Sequence, residues 1–150
     1  MMTLRSMRGA AFALLASSAA IACSNPVSSG GHLRPNGVVV RDGTTVVAQV
    51  SGGTATGQLT VQVGQHTPRL TVQFIDAGGN AITPPTGYYL AVVPRQEGVA
   101  AWVQDAAGEF AGRLHGLAPG TIELDFEWVQ GPVGSAHVDQ RFTINAVVTN

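Results

Sequence analysis

The sequence predicts an all-β protein, two antiparallel sheets packed face to face, and three observations carry that expectation. Apolar residues recur at every second position through most of the chain, the period of a strand with one face on a core and one in water. Residues with turn chemistry interrupt these runs at short intervals. After Cys23 no segment sustains a helical period.

Taken in order, Val38 and Val40, Val46 to Val50, and Leu59, Val61 and Val63 read as the first strands. Leu70, Val72 and Phe74 follow, then Tyr89 to Val93, Val99 to Val103 and Phe110 to Leu114. The clearest segment runs from Thr121 to Trp128, where Ile122, Leu124, Phe126 and Trp128 point one way and Glu123, Asp125 and Glu127 the other. A helix would scatter both sets around its circumference. Phe142, Ile144, Ala146 and Val148 close the series. Reversals fall at Asp76–Asn80, Pro84–Gly87, Arg95–Gly98, Asp105–Gly108, Ala118–Gly120 and Gly131–Gly134. Alternating rather than continuous apolar character favours a sandwich, with a small closed barrel as the alternative architecture.

Composition narrows the function. The 150 residues are 45% hydrophobic and 11% charged, which suits a globular domain. Lys is absent, and eight Arg oppose nine acids for a net charge of −1, so no basic field exists to hold nucleic acid. The single cysteine excludes an internal disulfide framework and a Cys-rich zinc site.

Residues 1–22 read as an address. Arg5 and Arg8 give a positive start, and Gly9 to Ala22 is an apolar run ending in small residues, the layout of a secretory signal. The run is shorter than the roughly 20 residues that span a bilayer. Ala20-Ile21-Ala22-Cys23 resembles a bacterial lipobox, with Ala where Leu is commonest at its first position. That resemblance implies cleavage before Cys23, acylation of its sulfur and attachment to a membrane, and Ser24 in place of Asp implies the outer membrane. Without Arg5 and Arg8 the chain keeps six Arg against nine acids, a charge of −3. Residues 23–33 then form a lipidated flexible linker, Gly- and Ser-rich from Ser24 to Gly31, and 34–150 the folded domain.

Within that domain, Leu70-Thr71-Val72-Gln73-Phe74-Ile75-Asp76 followed by Gly78-Gly79-Asn80 is similar to the bacterial immunoglobulin-like domain of group 2. Ala101-Trp102-Val103, Gly108 to Gly112 and Gly116-Leu117-Ala118-Pro119-Gly120-Thr121 continue the likeness, which covers about Gly57 to Val129. Tyr88-Tyr89-Leu90 stands where that family carries a Trp-x-Ser segment. The resemblance implies an immunoglobulin-like antiparallel sandwich and supports no particular partner, since one fold hosts many functions.

Candidate chemistry is sparse. Ser135, His137 and Asp139 imitate a catalytic triad, but alternate positions of one strand fan out in a row, whereas a triad converges from different segments. No catalytic residue is assigned. For a divalent metal, His137 and Asp139 share a strand face, His115 could join from a neighbouring strand, and His32 could fold back from the linker. The plainer reading makes these polar residues on a wet sheet face, with Arg141 paired to Asp139. Glu123, Asp125 and Glu127 likewise read as a solvated outer face. Tyr88, Tyr89 and Trp102 are the candidates for a partner-binding surface, since aromatic residues concentrate in binding hot spots.

The leading expectation is a non-enzymatic envelope lipoprotein that binds or supports an envelope protein or glycan, anchored to the membrane by lipid on Cys23, with no other cofactor and no nucleic-acid partner. The alternative is a periplasmic or surface metal-binding lipoprotein using His115, His137 and Asp139.

Overall fold

A computed structural model describes residues 33–132 and 134–150. The expectations for the signal segment 1–22, for Cys23 and for the linker as far as His32 lie outside the described residues. Among the described residues ten strands form: β1 (Gly37–Asp42), β2 (Thr45–Ser51), β3 (Thr54–Gly57), β4 (Leu59–Gln62), β5 (Leu70–Ile75), β6 (Tyr88–Pro94), β7 (Ala100–Gln104), β8 (Ala111–Gly116), β9 (Gly120–Gln130) and β10 (His137–Thr149). They build a six-stranded sheet of order β3-β2-β1-β5-β8-β7 and a four-stranded sheet of order β4-β10-β9-β6. The result is an all-β, immunoglobulin-like sandwich of two separate sheets, not a closed barrel. All neighbours pair antiparallel except β4, which runs parallel to β10 with Ala146 opposite Leu59.

The alternation on β9 sets the core. Ile122, Leu124, Phe126 and Trp128 are each at most 3% exposed. Facing them across the sandwich is Phe74 of β5, whose ring meets Trp128 edge-on at 4.9 Å between centroids and lies 5.9 Å from Phe142. Such tilted and edge-to-face pairs suit aromatic quadrupoles. Burial of each large apolar side chain contributes about 1.5–3 kcal/mol.

β3 escapes the sequence reading for a physical reason. Thr54-Ala55-Thr56-Gly57 is exposed throughout, so no apolar face exists to produce a period. It is an edge strand held by backbone pairing to β2, with Ala55 opposite Val50.

Both lateral seams between the sheets are stitched. At one, Leu90 N donates to Gly108 O (3.3 Å), and Gln104 Nε2 donates to the carbonyls of Leu90 and Glu109 (2.8 and 2.7 Å). At the other, the segment following β4 lies against β8. That approach needs Gly116, where a Cβ would fall 2.4 Å from Gln62 O.

The sandwich is polar along its length. β1 starts where Gly37 pairs with Ile75, beside Phe74 and the Trp128 cluster, and runs toward Asp42, which pairs with Leu70. β10 runs to the opposite end, where Val148 pairs with Gly120 and Val63 N donates to Thr149 O. The described chain therefore enters at the Trp128 end, and the far end carries Thr149, Gly116 and the segment 63–67.

Phe126 is fully buried, so Phe126→Ala is expected to lower stability by about 3–5 kcal/mol in chemical denaturation. A loss below about 1 kcal/mol would contradict the assigned strand phase.

Candidate functional site

The outer face of β9 departs from the wet surface expected of it. Glu123 is exposed, but Asp125 and Glu127 are 5% and 6% exposed. Arginines cover them. Arg95, just past the end of β6, directs Nε to both Asp125 oxygens at 3.0 Å, Nη1 to Glu123 Oε2 at 2.7 Å and Nη2 to Thr143 Oγ1 at 2.8 Å. Thr143 in turn donates to Asp125 Oδ1 at 2.7 Å. Arg141 places Nη2 2.7 Å and Nε 2.9 Å from Glu127 Oε1, with Asp125 Oδ2 at 3.6 Å. The expected Arg141–Asp139 pair is not formed, because Arg141 stands opposite Glu127 in the β9–β10 register.

Burial pushes the Asp125 carboxyl up. The hydrogen bonds from Arg95 and Thr143 and the charges of Arg95 and Arg141 outweigh it, leaving the group below its ordinary value of 3.8. Arg95 is correspondingly raised, first by its hydrogen bond to Asp125. The lattice fixes β6, β9 and β10 to one another, and its donors and acceptors are spent on each other.

A second cluster lies at the Trp128 end. The β9–β10 register slips between Val138 and Gln140, leaving Asp139 as the extra residue of a bulge. Bulges re-aim side chains, and this one brings the Asp139 carboxylate to His137 Nε2 at 2.7 Å and to the Tyr88 hydroxyl. Burial raises the Tyr88 pKa first, and the charge and hydrogen bond of Asp139 add to it. The Tyr88 ring packs on Trp128, 5.0 Å between centroids. His137 and Asp139 thus close directly on each other. Ser135 sits in the turn before β10, its amide donating to Pro132 O, and its hydroxyl makes no hydrogen bond among the described residues, so the triad imitation is not assembled.

His115 does not join this cluster. It belongs to β8 in the other sheet, and its neighbour Gly116 abuts Val148 at the far end of the sandwich. Val148 is eleven residues from His137 on β10, about 35 Å along a strand. Instead, His115 stacks on His66, ring centroids 4.2 Å apart and planes 16° from parallel. His66 carries no sequence signal. It lies in a polar stretch between β4 and β5, and only the packing of that stretch against β8 reveals its partner. His32 is outside the described residues.

The aromatic candidates divide. Tyr88 faces the core with Leu90, and Trp102 also turns inward, meeting Phe126 at 5.7 Å over Gly112, where a Cβ would come within 2.7 Å of the indole. Tyr89 points outward beside Val129. Tyr88 and Tyr89 line a shallow groove of about 550 Å³ with Arg69, Glu109 and Phe110, and Trp102 is not part of its wall.

No family model matches the chain, and no curated protein gives a significant match. Among solved structures it is similar to the crystal structure of the S-layer protein SbsC, domains 4 and 5. The sequence identity is 14% and the TM-score 0.46, over 77% of this chain and 66% of that one. The chain thus spans just under two thirds of that protein chain's length.

Because the folded Asp125 pKa is depressed, its contribution to stability is fully present above the unfolded pKa near 3.8 and is lost as pH falls through the lower folded value. Asp125→Asn is expected to flatten stability against pH below about 4, and an unchanged acid profile would count against the ion lattice. Arg95→Ala is expected to cost about 1–3 kcal/mol at neutral pH, because it strands a desolvated acceptor. In an Asp125→Asn background the same change should cost less, and equal costs in the two backgrounds would mean the side chains are uncoupled.

Proposed function

We propose that this chain is a lipid-anchored, non-enzymatic module of the bacterial cell envelope, held at the outer membrane through acylated Cys23, whose sandwich is presented to an envelope protein or glycan. The lengthwise polarity of the sandwich carries the reading. The segment that would bear the anchor leads into β1 at the Trp128 end, and β10 runs away from it to Thr149. A module tethered through a flexible segment at this end keeps its far end and both lateral seams accessible.

Three further features support it. The lipobox-like Ala20-Ile21-Ala22-Cys23 follows an apolar run of signal-peptide length, and the Gly- and Ser-rich residues after it suit a spacer. Buried acyl methylenes add about 0.8 kcal/mol each, so several chains together make a durable anchor. The arginine–carboxylate lattice on β9 is paired internally, as expected of groups that hold strands in register. The groove at Tyr88 and Tyr89, with Arg69 and Glu109 at its margin, is the recognition edge this reading favours, since an open aromatic surface with a few polar groups suits an extended polymer or a loop of a partner.

Metabolic labelling with radioactive palmitate tests the anchor. Label should enter the wild-type chain, the chain should fractionate with membranes, and Cys23→Ser should lose both properties. An unlabelled wild-type product released as soluble protein would overturn the proposal.

A further inference from the structure

At the end of the sandwich remote from β1's start, the segment 63–67 is clamped onto β8 by four hydrogen bonds. Gly64 N donates to Gly116 O at 2.8 Å and Gly116 N to Gln65 O at 3.0 Å. Thr67 N donates to Leu114 O at 2.9 Å, and Leu114 N returns a bond to Thr67 Oγ1 at 3.0 Å. Thr67 is buried, which fixes this side of the clamp. His66 and His115 lie between the bonded residues and oppose each other as an antiparallel bridge. Residues opposed in this way without exchanging both backbone bonds have the closest side chains in an antiparallel ladder. The rings accordingly stack at 4.2 Å.

We propose that His66 and His115 form a two-imidazole site for a divalent transition-metal ion of the copper class. Imidazole nitrogen is a good ligand for such ions, and at a given nitrogen site Cu²⁺ binds more tightly than the other divalent first-row metals. His66 is exposed and His115 half-buried, so solvent reaches the pair and can supply the remaining ligands. Neither imidazole has a hydrogen-bond partner among the described residues, which leaves their nitrogen lone pairs available. Each lone pair lies in its ring plane, so the stacked rings must open well away from parallel to place one nitrogen of each at about 2.0–2.1 Å from a shared ion. The exposed His66 is free to make that rotation about χ1 and χ2. The four-bond clamp supplies the preorganisation, because both backbones are held before the ion arrives. Arg113 shares the His115 face two residues away and is the nearest fixed positive charge along β8, which favours a site of moderate affinity. The site is independent of the anchor and of the groove at Tyr88 and Tyr89.

The test is titration of the purified full chain, its Cys23 thiol capped with N-ethylmaleimide, with Cu²⁺ alone, read by electron paramagnetic resonance. One ion per chain is expected, with hyperfine structure from two nitrogens. His66→Ala and His115→Ala should each weaken binding by about tenfold or more and remove the two-nitrogen pattern, while His137→Ala and His32→Ala leave both unchanged. His66→Gln, in an exposed position, serves if His115→Ala fails to fold. Absence of Cu²⁺ uptake, retention of the two-nitrogen signal in either His66 or His115 variant, or its loss in His137→Ala or His32→Ala would each overturn the proposal.

Discussion

The structure depends on enclosing β9 on both faces. Its inward side chains include the large, fully buried Leu124, Phe126 and Trp128, and its outward Asp125 and Glu127 are removed from water by arginines from β6's end and from β10. The two faces obey different physics. Each inward side chain gains about 1.5–3 kcal/mol from burial. A desolvated carboxylate left without a partner costs about 1–3 kcal/mol, so one missing arginine offsets the gain of about one core residue. Arg95 and Arg141 therefore matter to the fold more than surface ion pairs usually do. They also explain why β9 sits inside its sheet, since only an internal strand has a neighbour on each side to deliver a guanidinium.

Most of the architecture was legible because it follows from local period. Ile122, Leu124, Phe126 and Trp128 show a strand and its phase without any tertiary information, and the Gly- and Pro-marked reversals divide the rest. What was not legible has no local signature. β3 is polar and exposed, so its membership in the sheet is a fact of backbone pairing. The parallel pairing of β4 with β10 joins segments far apart in sequence, and nothing in Leu59–Gln62 specifies its neighbour.

The candidate sites divide in the same way. His137 and Asp139 were readable as a pair because strand spacing places them together, although the bulge that closes them directly on each other was not. The burial of Asp125 and Glu127 was missed because an alternating acid row looks identical whether water or an arginine covers it. Arg95 looked like a turn residue, and its reach across to β9 and β10 appears only once β6 is paired. His66 became informative only through Gly116, whose missing side chain lets the stretch containing His66 lie on β8.

These features describe a module in which charge holds strands together and the groove at Tyr88 and Tyr89 stays open at the surface. Every part of that arrangement is referred to β9 as the most protected strand. Native-state hydrogen exchange measures this directly. Amides of β9 and of its partners in β10 should exchange only through global unfolding, with one shared free energy, while those of β3 exchange through local opening. Exchange from β9 as fast as from β3 would contradict the account.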